Sequence, residues 1–298
     1  MKYIFLINSF SLRKDIEDVV TRINILAETL KLDYDIRINS PTISTEDILN
    51  EYKDSSNIIV SLGGDGTLNR VFNCIYGTKN ILSVLPLGTG NDFSKSINEQ
   101  MKNGINKVDV VKINDKWFIN LVCFGIDADI ANDETFVDSK IIPRSQRYNA
   151  SIVTNFLNYQ GKHMKITSGN DIYEKDFATV AICNGKYYGR GFIMGPHARI
   201  DDGILDVYMI DDMNKLSLIN AILKLKKGKH ETHPKVSSFQ TNKLVIEGNR
   251  PITCNYDGEK MTSKKFDIEL IPQGMDLYYN EELQNEFNKI KVKKIKNK

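Results

Sequence analysis

Two glycine-rich runs, each beginning where a short apolar stretch ends, constrain this chain more than any other feature. Residues 57–62 (NIIVSL) lead directly into Gly63-Gly64-Asp65-Gly66-Thr67-Leu68-Asn69, and residues 81–85 lead into Pro86-Leu87-Gly88-Thr89-Gly90-Asn91-Asp92. A continuous apolar run of this length bounded by glycine reads as a buried strand. Residues 68–75 read as the helix after the first run. Strands that alternate with helices imply a parallel sheet with both faces covered. Ligands of such sheets bind beyond the carboxyl ends of the strands, where both runs would lie.

The flanking pattern agrees. Residues 3–7 (YIFLI) form an expected strand, and Ile16, Val19, Val20, Ile23, Leu26, Ala27 and Leu30 recur at the spacing of one helix face. A second strand is expected at residues 34–38, then a helix near 46–52 that Ser44 or Thr45 caps. Beyond about residue 112 the apolar stretches 117–124, 178–183, 204–210, 244–247, 252–256 and 266–270 succeed one another across turn-like spacers, which describes a β-rich domain. Helices are expected at 148–159, at 216–225 and from Glu281 onward. A length of 298 residues favours two domains.

The first glycine run has the composition of a phosphate cradle. Glycine permits positive φ and a close approach of backbone to anion, while N–H groups at a helix start carry the positive end of its dipole. Thr67 is placed to cap that helix and to touch a phosphate oxygen. The run is neither a P-loop, lacking Gly-Lys-Ser/Thr at the required spacing, nor the GxGxxG dinucleotide fingerprint. Asp65 is out of place beside a phosphate unless a divalent cation or a hydroxyl accepts it. The plain alternative is a tight turn in which Asp65 bonds its own backbone. The second run again combines glycines, a hydroxyl and a carboxylate, so two loops from neighbouring strands can enclose one triphosphate.

GGDGTLN and PLGTGND resemble the signature of the diacylglycerol kinase catalytic domain found in soluble bacterial lipid kinases. The GGDG element is shared with NAD kinases and 6-phosphofructokinases. Val108-Asp109-Val110, Phe118-Ile119-Asn120, residues 196–206, residues 230–236 and Asp257-Gly258-Glu259 extend the similarity in the family's order. The resemblance implies a Rossmann-like α/β nucleotide domain (residues 1–115 and 273–298), a β-sandwich lipid-substrate domain (116–272) and an active site in the cleft between them. It implies transfer of the γ-phosphoryl group of ATP to a lipid alcohol, diacylglycerol first. Asn8, Gly63 to Asn69 and Gly88 to Asp92 would bind the nucleotide. Asp257 would be the base, with Glu259 as helper or rival, and Asp65 would share in catalysis. A Mg²⁺ would be held by Asp202 and the carbonyls of Arg199 and Ile204. Asp109 would join a charged network at the cleft. The sequence departs from the family where Asn8-Ser9-Phe10-Ser11-Leu12 lacks the usual Pro and Gly, and where Arg70 replaces a Glu. An NAD kinase-like enzyme and a non-catalytic nucleotide or lipid sensor are the alternatives.

Taken without the resemblance, Asp257-Gly258 is an ordinary hairpin turn, and the HETH run at residues 230–233 is one residue short of a zinc-binding HExxH. Forty basic against 38 acidic residues, a net charge of +2, give no reason to expect nucleic acid. The exception is residues 289–298, with six lysines and no acid, either a frayed terminus or an attachment to an anionic membrane surface. Four isolated cysteines fit a reduced cytoplasm, and no stretch nears the ~18 apolar residues of a membrane span. The expected location is therefore cytoplasmic and peripheral at the inner face of the membrane. A homodimer is compatible with the sequence.

Overall fold

A computed structural model of the chain describes residues 1–9, 16–88, 90–131 and 159–291. Residues 148–158 of the helix expected at 148–159, most of the lysine-rich tail, Thr89 and residues 10–12 of the first loop lie outside them. The chain divides into two units, Met1–Val108 with Gln273–Lys298, and Asp109–Pro272. The division after Val108 falls within a strand that runs from one unit into the other.

The first unit opens with β1 (Tyr3–Ile7), α1 (Ile16–Leu30), β2 (Tyr34–Ile38), α2 (Thr45–Asn50), β3 (Ile58–Gly63), α3 (Asp65–Ile75), β4 (Ile81–Pro86) and α4 (Asp92–Gln100). The strands pair in the order β2-β1-β3-β4, all parallel, with Ile7 level with both Ile38 and Leu62, and Gly63 level with Pro86. The continuous apolar strands are buried on both faces, as parallel sheets require. One face packs Phe5, Val60 and Leu62 against Val19, Ile23 and Leu26 of α1. Ser44 caps α2 in a full capping box with Asp47.

The second unit takes in β5 (Gly104–Ile113), β6 (Lys116–Phe118), β7 (Leu121–Gly125), α5 (Ile126–Ala131), β8 (Lys162–Ser168), β9 (Asp171–Cys183), β10 (Tyr187–Tyr188), β11 (Phe192–Ile193), β12 (Leu205–Asp211), α6 (Lys215–Leu225), β13 (Val236–Thr241) and β14 (Lys243–Tyr256). β15 (Glu259–Tyr279) then leads back to the first unit, which α7 (Glu281–Lys289) completes. Strands β13-β12-β9-β7-β14-β15 are hydrogen-bonded neighbours, each pair antiparallel. Phe118, Phe124, Phe177 and Phe266 fill the core between them.

Local differences from the sequence reading have physical causes. The stretch 117–124 is two strands, because Ile119 and Asn120 turn toward a side chain described below. The segments 244–247 and 252–256 are one strand, β14, whose register shifts between Glu247 and Ile252. In the first unit, Phe287 of α7 stacks beneath the Arg22 guanidinium of α1 at 3.9 Å and accepts an Arg22 hydrogen bond at its carbonyl (2.6 Å).

Candidate functional site

Both glycine loops leave the carboxyl edge of the parallel sheet side by side. The Gly63 carbonyl accepts the N–H groups of Leu87 (3.0 Å) and Gly88 (3.2 Å), so the second loop hangs on the end of β3. Left-handed backbone does not explain the glycines: the N-cap of α3, Gly64, has φ −97°, and Gly63, Gly66 and Gly88 are not among the positive-φ residues. Packing explains them. A Cβ on Gly88 would meet the Gly64 Cα at 2.4 Å, and one on Gly63 would meet Thr67 Oγ1 at 2.4 Å. A Cβ on Gly66 would meet nothing within 4 Å, so at the exposed start of α3 that glycine leaves open space beside the helix N–H groups.

Asn91 takes the left-handed conformation, with φ 54° and ψ 42°. Its side chain closes the loop on itself, accepting from the Gly88 N–H (3.0 Å) and donating to the Gly88 carbonyl (2.7 Å). It therefore makes no cap for α4. Asp65 supplies that cap from the neighbouring loop: its carboxylate accepts the Phe93 N–H at 3.2 Å and is also bonded by the Asp92 N–H. Burial pushes the Asp65 carboxyl above the usual carboxylate range, and the Asp92 charge pushes the same way, against these N–H groups and Lys95. Asp92 is itself buried and paired with Lys95 at 2.8 Å.

Thr67 is not the cap of α3, since the helix begins at Asp65 and Thr67 sits buried in its first turn. Its hydroxyl accepts instead from Asn8 Nδ2 at 2.8 Å. Leu68 and Asn69 are buried, and Asn69 Oδ1 accepts from Asn73 at 3.0 Å. Asn39, at the end of β2, went unnoticed in the sequence: it is buried, accepts from the Ser9 N–H (2.8 Å) and donates to Thr45 (3.2 Å). The available signal was an amide directly after a strand end, as at Asn8.

In the second unit, Asp257 (φ 46°) and Gly258 (φ 93°) form the two-residue hairpin turn between β14 and β15, both left-handed as that turn demands. The Asp257 carboxylate accepts three main-chain N–H groups, from Ile119 (2.8 Å), Asn120 (3.1 Å) and Leu121 (3.0 Å). These three bonds fix the orientation of the carboxylate. Asn120 in turn accepts at its carbonyl from the N–H groups of Asn184 (2.9 Å) and Gly185 (2.7 Å). Glu259 is exposed. Asp127, another residue the sequence reading passed over, has its carboxyl pushed up to about 6 by burial, with a Thr179 hydrogen bond opposing.

The loop that holds Arg199, Asp202 and Ile204 is ordered by carboxylates. Asp202 accepts the Ile204 N–H (3.0 Å), Arg199 pairs with Asp201 (3.0 Å), and the fully buried Asp109 accepts the Gly203 N–H (2.7 Å). Burial raises the Asp202 pKa, and Asp206, Asp109 and Asp201 reinforce it, an electrostatic setting that suits a cation. Among the described residues no group of three or more His, Cys, Asp or Glu converges as a metal site, and the expected set has one carboxylate. In HETH, His230 is buried against the Tyr208 ring and His233 lies 3.2 Å from the Ser217 hydroxyl, which makes this a packed loop.

Residues 2–116 match the family model of the diacylglycerol kinase catalytic domain, and residues 120–279 match that of the YegS C-terminal NAD kinase beta sandwich-like domain. A protein of Shewanella frigidimarina called "Probable lipid kinase YegS-like" is 28% identical over 237 residues, 74% of this chain and 76% of that protein. One of the same name from Pseudomonas aeruginosa is 24% identical over 231 residues, 74% of this chain and 76% of its own length. The crystal structure of a diacylglycerol kinase from Bacillus anthracis shares the fold, with a TM-score of 0.74 at 22% identity over 94% of this chain and 97% of that one. An α/β unit with paired glycine loops and a β-rich unit closed by the Asp257 turn are thus the two halves of a known pairing, and the chain belongs to the diacylglycerol kinase-like family of lipid kinases.

Proposed function

We propose that the protein transfers the γ-phosphoryl group of ATP to the hydroxyl of a membrane lipid alcohol, with diacylglycerol as acceptor and phosphatidic acid as product. The observation that carries this reading is the pair of glycine loops held together by Asp65, with open space at Gly66 beside the first N–H groups of α3. Those groups and the loop from Gly88 to Asn91 would hold the triphosphate. Asp65 and Asp92 would orient the reacting groups. A Mg²⁺ held by Asp202 and the Arg199 and Ile204 carbonyls would neutralise charge and fix its loop.

In the reaction the lipid hydroxyl oxygen bonds to the γ-phosphorus, the bond from that phosphorus to the β-phosphate bridging oxygen breaks, and ADP leaves with the electron pair. The hydroxyl proton passes to a carboxylate. A loose transition state asks for little basicity and much positioning, which fits Asp257, held in place by three N–H groups. Glu259 is the rival.

Asp257→Ala separates binding from transfer. Calorimetry with a non-hydrolysable ATP analogue should give wild-type affinity while phosphoryl transfer falls by about a thousandfold or more. Near-normal turnover in that variant would remove Asp257 from the role of base.

A further inference from the structure

Helix α6 buries one side and leaves a second apolar stripe in water. Leu218, Ala221 and Leu225 are buried, and Leu218 packs with Ile126, Ala178 and Ile210. At 3.6 residues per turn, Leu216, Ile219 and Leu223 fall on the opposite face within an arc of roughly 60°. They are 81%, 42% and 60% exposed. The exposed isoleucines elsewhere among the described residues, Ile25, Ile38, Ile43, Ile105 and Ile172, lie on separate segments.

Charge identifies what covers the stripe. From Met213 to His230 the chain carries five lysines (Lys215, Lys224, Lys226, Lys227 and Lys229) and no acid, in a protein whose net charge is only +2. Lys226, Lys227 and Lys229 are exposed on the turn that ends the helix. Aliphatic anchors rimmed by lysines suit a helix lying in the surface of an anionic bilayer, where the anchors enter the acyl boundary and the lysines meet phosphates.

We propose that α6 docks the protein on an anionic membrane by inserting Leu216, Ile219 and Leu223. The lipid-kinase reading supplies the purpose of docking, a substrate that stays in the membrane, but docking itself requires no turnover. The residues of this surface are separate in sequence from the lysine-rich run at 289–298.

Cosedimentation with vesicles of phosphatidylcholine alone, or mixed with phosphatidylglycerol, tests it. The wild-type protein should bind the mixed vesicles, and the triple variant Leu216→Ser, Ile219→Ser, Leu223→Ser should lose about tenfold or more in apparent affinity. Lys226→Ala with Lys227→Ala should weaken binding to the mixed vesicles and reduce the preference for them over phosphatidylcholine alone. In a second variant, Leu223→Trp, emission should shift to the blue when mixed vesicles are added. Equal binding by the triple variant and the wild type, no binding by the wild type, or no blue shift overturns the proposal. So does a wild-type dimer that the triple variant dissolves, because the stripe would then be an interface between copies. A protein that docks through α6 yet phosphorylates no lipid alcohol refutes the kinase reading and leaves the docking surface standing.

Discussion

The carboxylate of Asp65, in the first turn of α3, accepts the N–H of Phe93 at the start of α4 across a distance of 3.2 Å. One glycine loop thereby caps the helix that follows the other, because Asn91 uses its own side chain to close the second loop. The apparent misplacement of an acid in a glycine-rich loop resolves into a cross-loop brace. The cost is a half-buried carboxylate whose pKa is raised by desolvation.

Asp65→Asn tests that cost against function. The amide oxygen can still accept the Phe93 N–H, while the buried charge is gone. Because the folded-state pKa of Asp65 is raised, its stabilising contribution is complete below the unfolded value and is lost as pH rises through the folded one. The variant should therefore match wild type at acid pH and gain in Tm relative to it as pH rises to neutrality, in thermal melts across that range. Phosphoryl transfer should fall by about a hundredfold.

The glycines separate packing from ligand space. Gly88→Ala forces a Cβ to 2.4 Å from the Gly64 Cα and should cost about 1–3 kcal/mol in denaturant unfolding. Gly66→Ala meets nothing within 4 Å and improves the helix by about 1 kcal/mol. It should raise the Tm yet weaken nucleotide binding, measured by calorimetry.

The Asp257 turn predicts a contrast with Glu259. Asp257→Asn leaves three N–H groups competing for a single amide oxygen and should destabilise the fold by about 2 kcal/mol. Glu259→Gln, at an exposed position, should leave the unfolding midpoint unchanged.

At the Asp202 loop, Mg²⁺ should raise the Tm of the wild-type protein and depress the Asp202 pKa, since a bound cation offsets Asp206, Asp109 and Asp201. In Asp202→Asn the Tm should no longer respond to Mg²⁺. Differential scanning fluorimetry with and without chelator reads both.

Much of the fold was legible because parallel strands announce themselves as continuous apolar runs, as 58–62 and 81–85 do. Helices α1 and α6 were legible from apolar periodicity. Less legible was α4, whose DFSKSINEQ carries few apolar residues, and the split of 117–124, which depends on Asp257, 138 residues beyond Ile119 in sequence. The glycine loops raised the expectation of a phosphate site, but did not reveal the reason for each glycine. Close contact between two segments, such as Gly64 with Gly88, leaves no local pattern. The role of Asp65 was hidden for the same reason, since its partner Phe93 belongs to the other loop.

The most direct test of the account is transfer of label from γ-³²P-ATP in mixed micelles offering diacylglycerol, other lipid alcohols and, in a detergent-free arm, NAD. The account predicts a Mg²⁺-dependent labelled product that migrates as phosphatidic acid and is lost in Asp257→Ala. Label appearing in NADP alone, or in no acceptor at all, would contradict it.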